Sequence, residues 1–392
     1  MTLSQMNSPE VPSCHSGEGV LNSAVPAPIR VHHTQAVAPH DLALTVKQIA
    51  RDLGFDLVGI ADIGPSSHAA YIESFFGQKR HGTMDYLARM KSAKMDIQTH
   101  LPWVRSAVCV AISYHQGNKG SHGQSGANAV AKISPSTPHA GRDSPPGNEN
   151  VEGDVTAKIA TYAAGRDYHR IFTGLLQKLE RAIRALVPGD LATRAYVDTG
   201  PCLERELATR AGLGWIGKNT MLIHPKHGSW FLLGELFLSL SLPADPPQLD
   251  RCGTCTRCIE ACPTDALSPY QMNAGKCISY LTLENRADIG PEFHAPMREA
   301  GYIIGCDICQ TVCPFNRHPL VASHPDFQPR TFSGAVSLRT VLNWTEHDWD
   351  QATRGRAFRR AKYHMWRRNA SIVGFVSLYS PMCHQHEPVT TP

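Results

Sequence analysis

The chain has 392 residues, 42% of them hydrophobic, and a net charge of only +4. This length allows more than one domain with a sizeable core, and so mild a charge does not by itself indicate a nucleic-acid-binding protein. Residues 1–40 carry no recognisable export or transit signal, and the longest apolar stretch, residues 230–242, is too short to span a bilayer. We therefore expect a cytoplasmic protein that does not enter the membrane, with a disordered extension at residues 1–40.

Helix and strand patterns alternate in the first part of the chain. A helical apolar spacing at 42–55 precedes a strand pattern at 56–63, and a helical pattern at 71–90 precedes a strand pattern at 106–114. This alternation indicates an α/β sheet. Residues 117–150 are rich in Gly, Ser, Pro and Asn, and this composition predicts a flexible insertion.

The elements after the insertion are also predicted by local patterns. Residues 157–187 have a long helical pattern, residues 193–200 indicate a strand that ends in a polar turn, and residues 202–214 indicate a helix that stops at glycine. Residues 221–240 have the character of a hairpin with its turn near Lys226. Beyond about residue 320, the chain is mostly helical in pattern.

Two cysteine runs lie between these regions. The first, RCGTCTRCIEACP at 251–263, has the C-x2-C-x2-C-x3-C-P spacing of bacterial ferredoxins. The second, GCDICQTVCP at 305–314, is the same motif without its first cysteine, because Ile303 stands at that position. The two runs supply seven thiolates and two 4Fe-4S clusters need eight, so the isolated Cys277 is the expected eighth ligand.

The ligands divide into two sets, because in two-cluster ferredoxins the last cysteine of each run binds the other cluster. Cluster 1 is expected to use Cys252, Cys255, Cys258 and Cys313, and cluster 2 is expected to use Cys262, Cys277, Cys306 and Cys309. Zinc knuckles, which also contain C-x2-C pairs, are the alternative, although the repeated C-P ending favours iron. The remaining cysteines show no pairing pattern, which fits a reducing compartment.

A reaction site is needed besides the clusters, because clusters move single electrons and do not transform a substrate. Asp198 ends a predicted strand in YVDTGP, a position where open α/β sheets place reactive groups. Its carboxyl group could donate a proton if apolar neighbours kept it protonated near neutral pH, and a turn-forming role is the alternative. The glycine-rich GLGWIG at 212–217 follows a helix instead of a strand, so it is weak evidence for a dinucleotide site.

The positive charge of the chain is concentrated in RGRAFRRAKYHMWRR at 354–368. Its basic residues alternate with Phe358, Tyr363 and Trp366. Cations and flat rings in one segment are typical of a nucleic-acid surface. A solvated helix face with buried aromatic residues is the alternative.

Several of these motifs occur together, and in the same order, in one protein family. VDTGPCLERELATRAGLGWIGKNT, the two cysteine runs, CISYLTLE and FRRAKYHMWRRNA resemble the corresponding motifs of epoxyqueuosine reductases over residues 42–375. The resemblance implies an α/β (α+β) cobalamin-binding domain, an inserted two-cluster ferredoxin-like module and a helical C-terminal segment. The corresponding boundaries are 41–245, 246–320 and 321–380.

The resemblance also implies an activity, the reduction of epoxyqueuosine at the wobble position of tRNA to queuosine, which is the last step of queuosine biosynthesis. Electrons from a donor such as flavodoxin or ferredoxin would pass through two 4Fe-4S clusters to cobalamin. Asp198 would be the proton donor to the oxygen released when the epoxide opens. We expect a monomer. An iron-sulfur electron carrier without its own substrate, and a cobalamin enzyme similar to reductive dehalogenases, are the alternative functions.

Further site residues are implied by the same resemblance. The expected cobalamin contacts are Tyr168, His169, Asp198, Ile216, Lys218, Asn219 and Ser279. The expected contacts to substrate or tRNA are Arg205, Arg359, Arg360 and Lys362. The D-x-H-x-x-G signature that supplies a histidine to cobalt is absent, because Phe172 stands where the glycine would be, and this family does without that ligand.

Overall fold

The computed structural model describes residues 38–117, 155–328 and 334–374. The strands in these ranges are β1 Leu57–Asp62, β2 Ser106–Ser113, β3 Thr156–Ile159, β4 Thr193–Tyr196, β5 Trp215–Ile216, β6 Leu222–Ile223, β7 Phe231–Leu238, β8 Leu267–Ser268, β9 Gln271–Met272, β10 Tyr302–Ile304 and β11 Ala335–Ser337. The helices are α1 Pro39–Asp52, α2 Ala69–Gly77, α3 Asp85–Arg89, α4 Lys91–Met95, α5 Tyr168–Leu186, α6 Glu204–Arg210, α7 Arg257–Glu260, α8 Ile278–Leu283, α9 His294–Ala300, α10 Ile308–Thr311, α11 Leu338–Asn343, α12 Glu346–Thr353 and α13 Tyr363–Gly374. Apart from residues 38–40 and Gly117, the predicted extension and the predicted insertion lie outside the described residues.

The larger sheet has the strand order β1-β2-β7-β4, and its neighbouring strands are antiparallel. All eight residues of β2 are buried, because SAVCVAIS is small or apolar on both faces of the strand. Its even-numbered residues, such as Val108 and Val110, pack with α5. Its odd-numbered residues, such as Ala107 and Cys109, pack with α6. The sheet is therefore covered by helices on both faces.

Helices α5 and α6 fit this sheet for different reasons. In α5, the fully buried Phe172, Leu176 and Leu179 recur every three or four residues and form one apolar face. At the end of α6 the fit is so close that a Cβ atom added at Gly59 of β1 would lie 2.0 Å from the carbonyl oxygen of Ala211. The glycine is required there, because the helix end rests directly on the strand.

A second sheet has the order β10-β3-β11, in which β3 is parallel to β10 and antiparallel to β11. The helix predicted from residue 157 is wrong at its start, because Ala157 and Ile159 are buried and alternate with exposed residues in a strand. Fully buried Met365 and Trp366 of α13 pack in the core beside this sheet. The second sheet thus joins strands from three separate parts of the sequence.

Two further expectations are corrected by the strand pairing and the helix bounds. The turn near Lys226 is present and is closed by a bridge between His224 and Gly228. The predicted hairpin strands are wrong, however, because β6 pairs with β5 while β7 pairs with β2 and β4. The helix expected over 71–90 is interrupted between α2 and α3.

Across the ranges that the structure describes, we find no helix with both the length and the apolarity required to cross a bilayer.

Candidate functional site

The four cysteines assigned to cluster 1 meet at one cavity. Cys252 and Cys255 lie in the loop before α7, Cys258 lies within α7, and Cys313 follows α10. These cysteines line the cavity together with Lys218, Asn219, Ile223, Arg257, Pro314 and Phe315. The indole Nε1 of Trp215 donates a hydrogen bond to the sulfur of Cys252 at 3.5 Å. The structure therefore brings together the set that the crossing rule selects.

Burial raises the pKa values of three cysteines of the second set, Cys277, Cys306 and Cys309. Burial, followed by the nearby Cys277, Cys306, Cys258 and Cys262 thiols, raises the pKa of Cys309 well above its ordinary value. Burial also raises the pKa of Cys306 to about 12. A thiolate at either position therefore needs compensating positive charge, which the irons of a cluster would supply. The proximity of Cys258 to Cys309 further indicates that the two cluster sites are neighbours.

Lys218 and Asn219 make hydrogen bonds to the cysteine loops, and their expected contacts with cobalamin stay predictions. The Nζ atom of Lys218 donates to the carbonyl oxygens of Gly253 at 2.6 Å and Cys255 at 3.2 Å. Asn219 is buried, and its Nδ2 atom donates to the carbonyl oxygen of Cys309 at 3.2 Å. Both side chains therefore hold cysteine loops in place.

Ile216 and Ser279 also lie close to the cysteine loops. Ile216 pairs with Leu222 in the β5–β6 hairpin, next to Trp215. Ser279 follows Cys277 closely in the sequence, and its backbone N–H donates a hydrogen bond to the sulfur of Cys277. Contacts between these two residues and cobalamin stay predictions.

Asp198 lies just beyond β4, and the place where its side chain meets His169 and Tyr168 is called the Asp198 recess below. It follows the buried Val197 and has a φ of 58°, in the left-handed region that side chains with a Cβ atom rarely adopt. Its side chain is 54% exposed, yet the ring of His169 and the hydroxyl group of Tyr168 lie against its carboxylate. The Asp198 carboxylate thus combines open access with specific polar neighbours.

His169 links two carboxylates at the start of α5. Asp167 is the N-cap residue of the helix, and its Oδ1 atom lies 2.7 Å from Nδ1 of His169. On the other side of the ring, Nε2 of His169 lies 3.4 Å from Oδ2 of Asp198. The hydrogen bonds that His169 donates to Asp167 and then to Asp198 raise the pKa of His169 to about 9. The imidazole is therefore protonated at neutral pH.

The charge state of Asp198 differs from the sequence-based expectation. The hydrogen bond with His169 lowers the pKa of Asp198 in spite of the opposing effect of burial. The proposal that apolar neighbours keep this carboxyl group protonated is therefore wrong for the free protein. The exchangeable proton of the pair resides on His169. No local sequence pattern indicates this pairing, because Asp198 and His169 lie on separate elements.

Two tyrosines connect the recess with the cluster 2 region. The ring of Tyr168 stacks on that of His169, with centroids 4.1 Å apart, and burial raises the pKa of Tyr168 so that its hydroxyl group keeps its proton. Tyr162 packs edge-on against Tyr168. Burial, then the charges of Asp198 and Asp307, raises the pKa of Tyr162. Because Asp307 directly follows Cys306 in the sequence, Tyr162 marks the place where the recess adjoins cluster 2.

Two of the expected substrate contacts are placed differently around this recess. Arg205 is exposed on α6 and, among the described residues, forms no ion pair, which leaves its guanidinium group available. Arg360 pairs with Glu284, donates a hydrogen bond to the hydroxyl oxygen of Tyr86 at 3.1 Å and interacts electrostatically with Asp198. Arg360 therefore lies within electrostatic range of the Asp198 recess.

The rest of the basic segment contains both buried aromatic rings and exposed cations, and the expected contacts of Arg359 and Lys362 with tRNA stay predictions. Arg359 pairs with Asp350 at 2.5 Å and stacks over the ring of Trp349, so its guanidinium group is committed to α12. Phe358 and Trp366 are fully buried and pack edge-on against each other. The aromatic residues therefore belong to the core, whereas Lys362 is exposed.

The assignment of Cys277 can be tested through iron content. We expect Cys277→Ala to lower the iron of anaerobically purified protein from about eight to about four atoms per chain, because cluster 2 loses one thiolate. Cys109→Ala, which removes a buried cysteine of β2 outside both runs, should keep the full complement. Full iron in Cys277→Ala would mean that another residue supplies the eighth ligand.

The His169 network predicts a pH dependence of stability. Because the pKa of His169 is raised, its stabilising contribution is complete below about pH 6.5 and is lost as the pH rises through about 9. The contributions of Asp167 and Asp198, whose pKa values are lowered, are lost only in acid. The unfolding temperature of His169→Gln should therefore fall further below that of the unmodified protein at about pH 6.5 than at about pH 10.

A control for this experiment is His100→Gln, which changes an exposed histidine. Its effect on the unfolding temperature should be small and the same at both pH values. An equally large effect of His169→Gln at both pH values would contradict the proposed ion pairs.

Two family profiles match separate parts of the chain. Residues 251–316 match the 4Fe-4S double cluster binding domain, a range that contains both cysteine runs and Cys277. Residues 94–199 match the profile described as epoxyqueuosine reductase QueG, DUF1730, and this match ends just after Asp198. The chain thus carries a double-cluster 4Fe-4S domain.

Similar proteins match most of the chain. The epoxyqueuosine reductase of Xanthomonas campestris is 36% identical over 85% of this chain and 86% of the relative. That of Synechocystis is 39% identical over 80% of this chain and 98% of the relative. A crystal structure of epoxyqueuosine reductase with an epoxyqueuosine-modified tRNA-Tyr stem loop has a TM-score of 0.71 at 24% identity, covers 86% of this chain and 82% of that chain, and shows that the mixed α/β fold is shared. By its identity to these relatives and its coverage of them, the chain belongs to the epoxyqueuosine reductase family.

Proposed function

We propose that this chain reduces epoxyqueuosine in tRNA to queuosine, the last step of queuosine biosynthesis. The observation that carries the proposal is the contact of the partly exposed Asp198 carboxylate with His169 and Tyr168, which Tyr162 connects to Asp307 beside Cys306. Family membership supports the substrate, because a solved relative contains a tRNA stem loop that bears epoxyqueuosine. A bare electron carrier would not need such a recess beside its clusters.

We propose cobalamin as the cofactor of the recess, as the family resemblance implies. Tyr168 and His169 are the proposed contacts, and they fit the group in one respect, since they form a flat, stacked pair at the wall of an open recess next to cluster 2. When bound, cobalamin would supply reactivity toward carbon that single-electron clusters lack. His169 already binds Asp167 and Asp198, which agrees with a family that does not use a histidine ligand to cobalt.

The protein's own residues would manage the protons. Conversion of an epoxide to an alkene and water consumes two electrons and two protons, and the oxygen must be protonated as the ring opens. His169 holds a proton on Nε2, 3.4 Å from Oδ2 of Asp198. In our proposal this proton passes to Asp198, which delivers it to the epoxide oxygen. Asp198 remains the proton donor, and His169 reloads it.

We further propose the domain boundaries of the chain, its oligomeric state, its cellular location and its electron donor. The cobalamin-binding part would span 41–245, the ferredoxin-like part 246–320 and the helical segment 321–380. The second sheet supports close cooperation of these parts, because β3, β10 and β11 come one from each. The protein would act as a cytoplasmic monomer and receive electrons from a donor such as flavodoxin or ferredoxin.

The activity can be tested with anaerobically purified protein that contains both clusters. With cobalamin, dithionite and tRNA from cells blocked at epoxyqueuosine, we expect queuosine in the digested tRNA. Asp198→Asn should lower kcat by about 100-fold or more, because proton delivery is lost. Asp190→Asn, at an exposed position, is the matched control and should be as active as the unmodified protein.

Two outcomes would argue against this function. Intact clusters without binding of cobalamin would support an electron carrier instead. Binding of cobalamin without conversion of the tRNA would favour another substrate, as in an enzyme similar to reductive dehalogenases.

The tRNA contact can be tested at Lys362, because its exposed side chain lies beside Arg360 in the basic segment. We expect Lys362→Glu to weaken tRNA binding and to reduce the slope of log affinity against log salt by about one, because one phosphate contact is lost. Lys178→Glu, an exposed lysine of α5, is the control. Unchanged affinity of the folded Lys362→Glu protein would reject this contact.

A further inference from the structure

Asp198 is held in its unusual conformation by a residue to which the sequence motifs give no role. Its backbone N–H donates a hydrogen bond to Oε1 of Glu204, the first residue of α6. The left-handed φ of Asp198 is unfavourable for a residue with a Cβ atom. Such a conformation persists when its surroundings impose it. The bond to Glu204 is therefore a constraint on the side chain that we propose as the proton donor.

Apart from the contacts of the Asp198 side chain with α5, two further close contacts of the turn lie within the turn itself or against β4. The backbone N–H of Thr199 donates to the carbonyl oxygen of Val197 at 2.6 Å. A Cβ atom added at Gly200 would lie 2.5 Å from the ring of Tyr196, so the turn folds closely over its own strand. Glu204 differs from these residues, because it ties the turn to a helix on the face of the sheet.

The charge of Glu204 acts on a second carboxyl group, that of Glu235. Glu235 of β7 is fully buried, and neither of its carboxylate oxygens has a hydrogen-bond partner in the described residues. Burial raises the pKa of Glu235 well above its ordinary value, so this side chain is neutral. Burial and the charge of Asp198 raise the pKa of Glu204 to about 7. Of the two carboxyl groups, Glu204 is therefore the one that ionises. The positive charges of Arg205 and Lys94 favour its ionised form.

We propose that Glu204 is a positioning residue, whose carboxylate holds the backbone of the Asp198 turn so that the Asp198 side chain faces His169 and Tyr168. This role rests on the proposed reduction of epoxyqueuosine. An ionised carboxylate is a strong acceptor for a backbone N–H, which suits it to this task. Removal of the acceptor frees the turn to leave its left-handed conformation and carries the carboxylate of Asp198 away from His169.

The backbone contact can be measured without any assay of activity. Hydrogen–deuterium exchange at the amide of Asp198, resolved by fragmentation of peptides that cover 196–203, should be about tenfold faster in Glu204→Ala, because the hydrogen bond is lost. Glu204→Gln keeps an acceptor oxygen and should exchange nearly as slowly as the unmodified protein. Glu206→Ala is the matched control, because Glu206 lies on the same helix but accepts hydrogen bonds from Ser66 and Ser67.

The kinetic consequence separates positioning from general destabilisation. In Glu204→Ala, kcat should fall by about 100-fold at an unchanged KM for tRNA, because a misplaced proton donor slows the reaction and not binding. Glu204→Gln should restore most of kcat, and Glu206→Ala should keep it even if its unfolding temperature falls. Unchanged exchange at Asp198 in folded Glu204→Ala would overturn the proposal. Since exchange does not depend on the substrate, failure of the proposed function would leave this result interpretable.

Discussion

The contact between His169 and Asp198 joins the start of α5 to the end of β4, and the recess depends on it. The contact forms because the apolar face of α5, with Phe172 and Leu176, lies across the sheet that contains β4. Core packing thus determines where a charged pair meets at the surface of the sheet. Asp167 adds a second carboxylate, so that a single cation is shared between two anions. The network holds a proton on His169 beside the accessible carboxylate of Asp198. Each charge in it has a partner of opposite sign, so no buried charge is left unpaired.

The second sheet connects the loop of Cys306 with the side chains around Asp198. Parallel pairing of β10 with β3 brings the chain that leads into Cys306 alongside Thr161. Asp307 then accepts hydrogen bonds from the backbone N–H and the Oγ1 atom of Thr161 at 2.7 and 2.8 Å. Tyr162 is the next residue, and it packs against Tyr168 in the recess. A short chain of contacts therefore joins a cysteine loop to the reaction site.

Local patterns predicted the parts of the site that depend on local spacing. Seven of the proposed cluster cysteines follow from ligand spacing within two short runs, Cys277 follows from the need for an eighth thiolate, and the Asp198 turn follows from VDTGP. The charge of Asp198 was not accessible from sequence, because its partner His169 lies on another element. Strand β3 was missed for a similar reason, since its partners β10 and β11 are remote in sequence. The hydrogen bonds of Lys218 and Asn219 to the cysteine loops were also missed, because a motif shows that residues belong near a site but not which loop their side chains hold.

The pairing of β3 with β10 has a consequence for the order of biogenesis. During synthesis β3 leaves the ribosome long before β10 and β11, so it waits without partners until most of the chain has been made. Cys306 lies directly beyond β10, so the hydrogen bonds between Asp307 and Thr161 can form only once both β3 and β10 have been synthesised. The second sheet is completed later still, when β11 emerges and takes its place on the other side of β3.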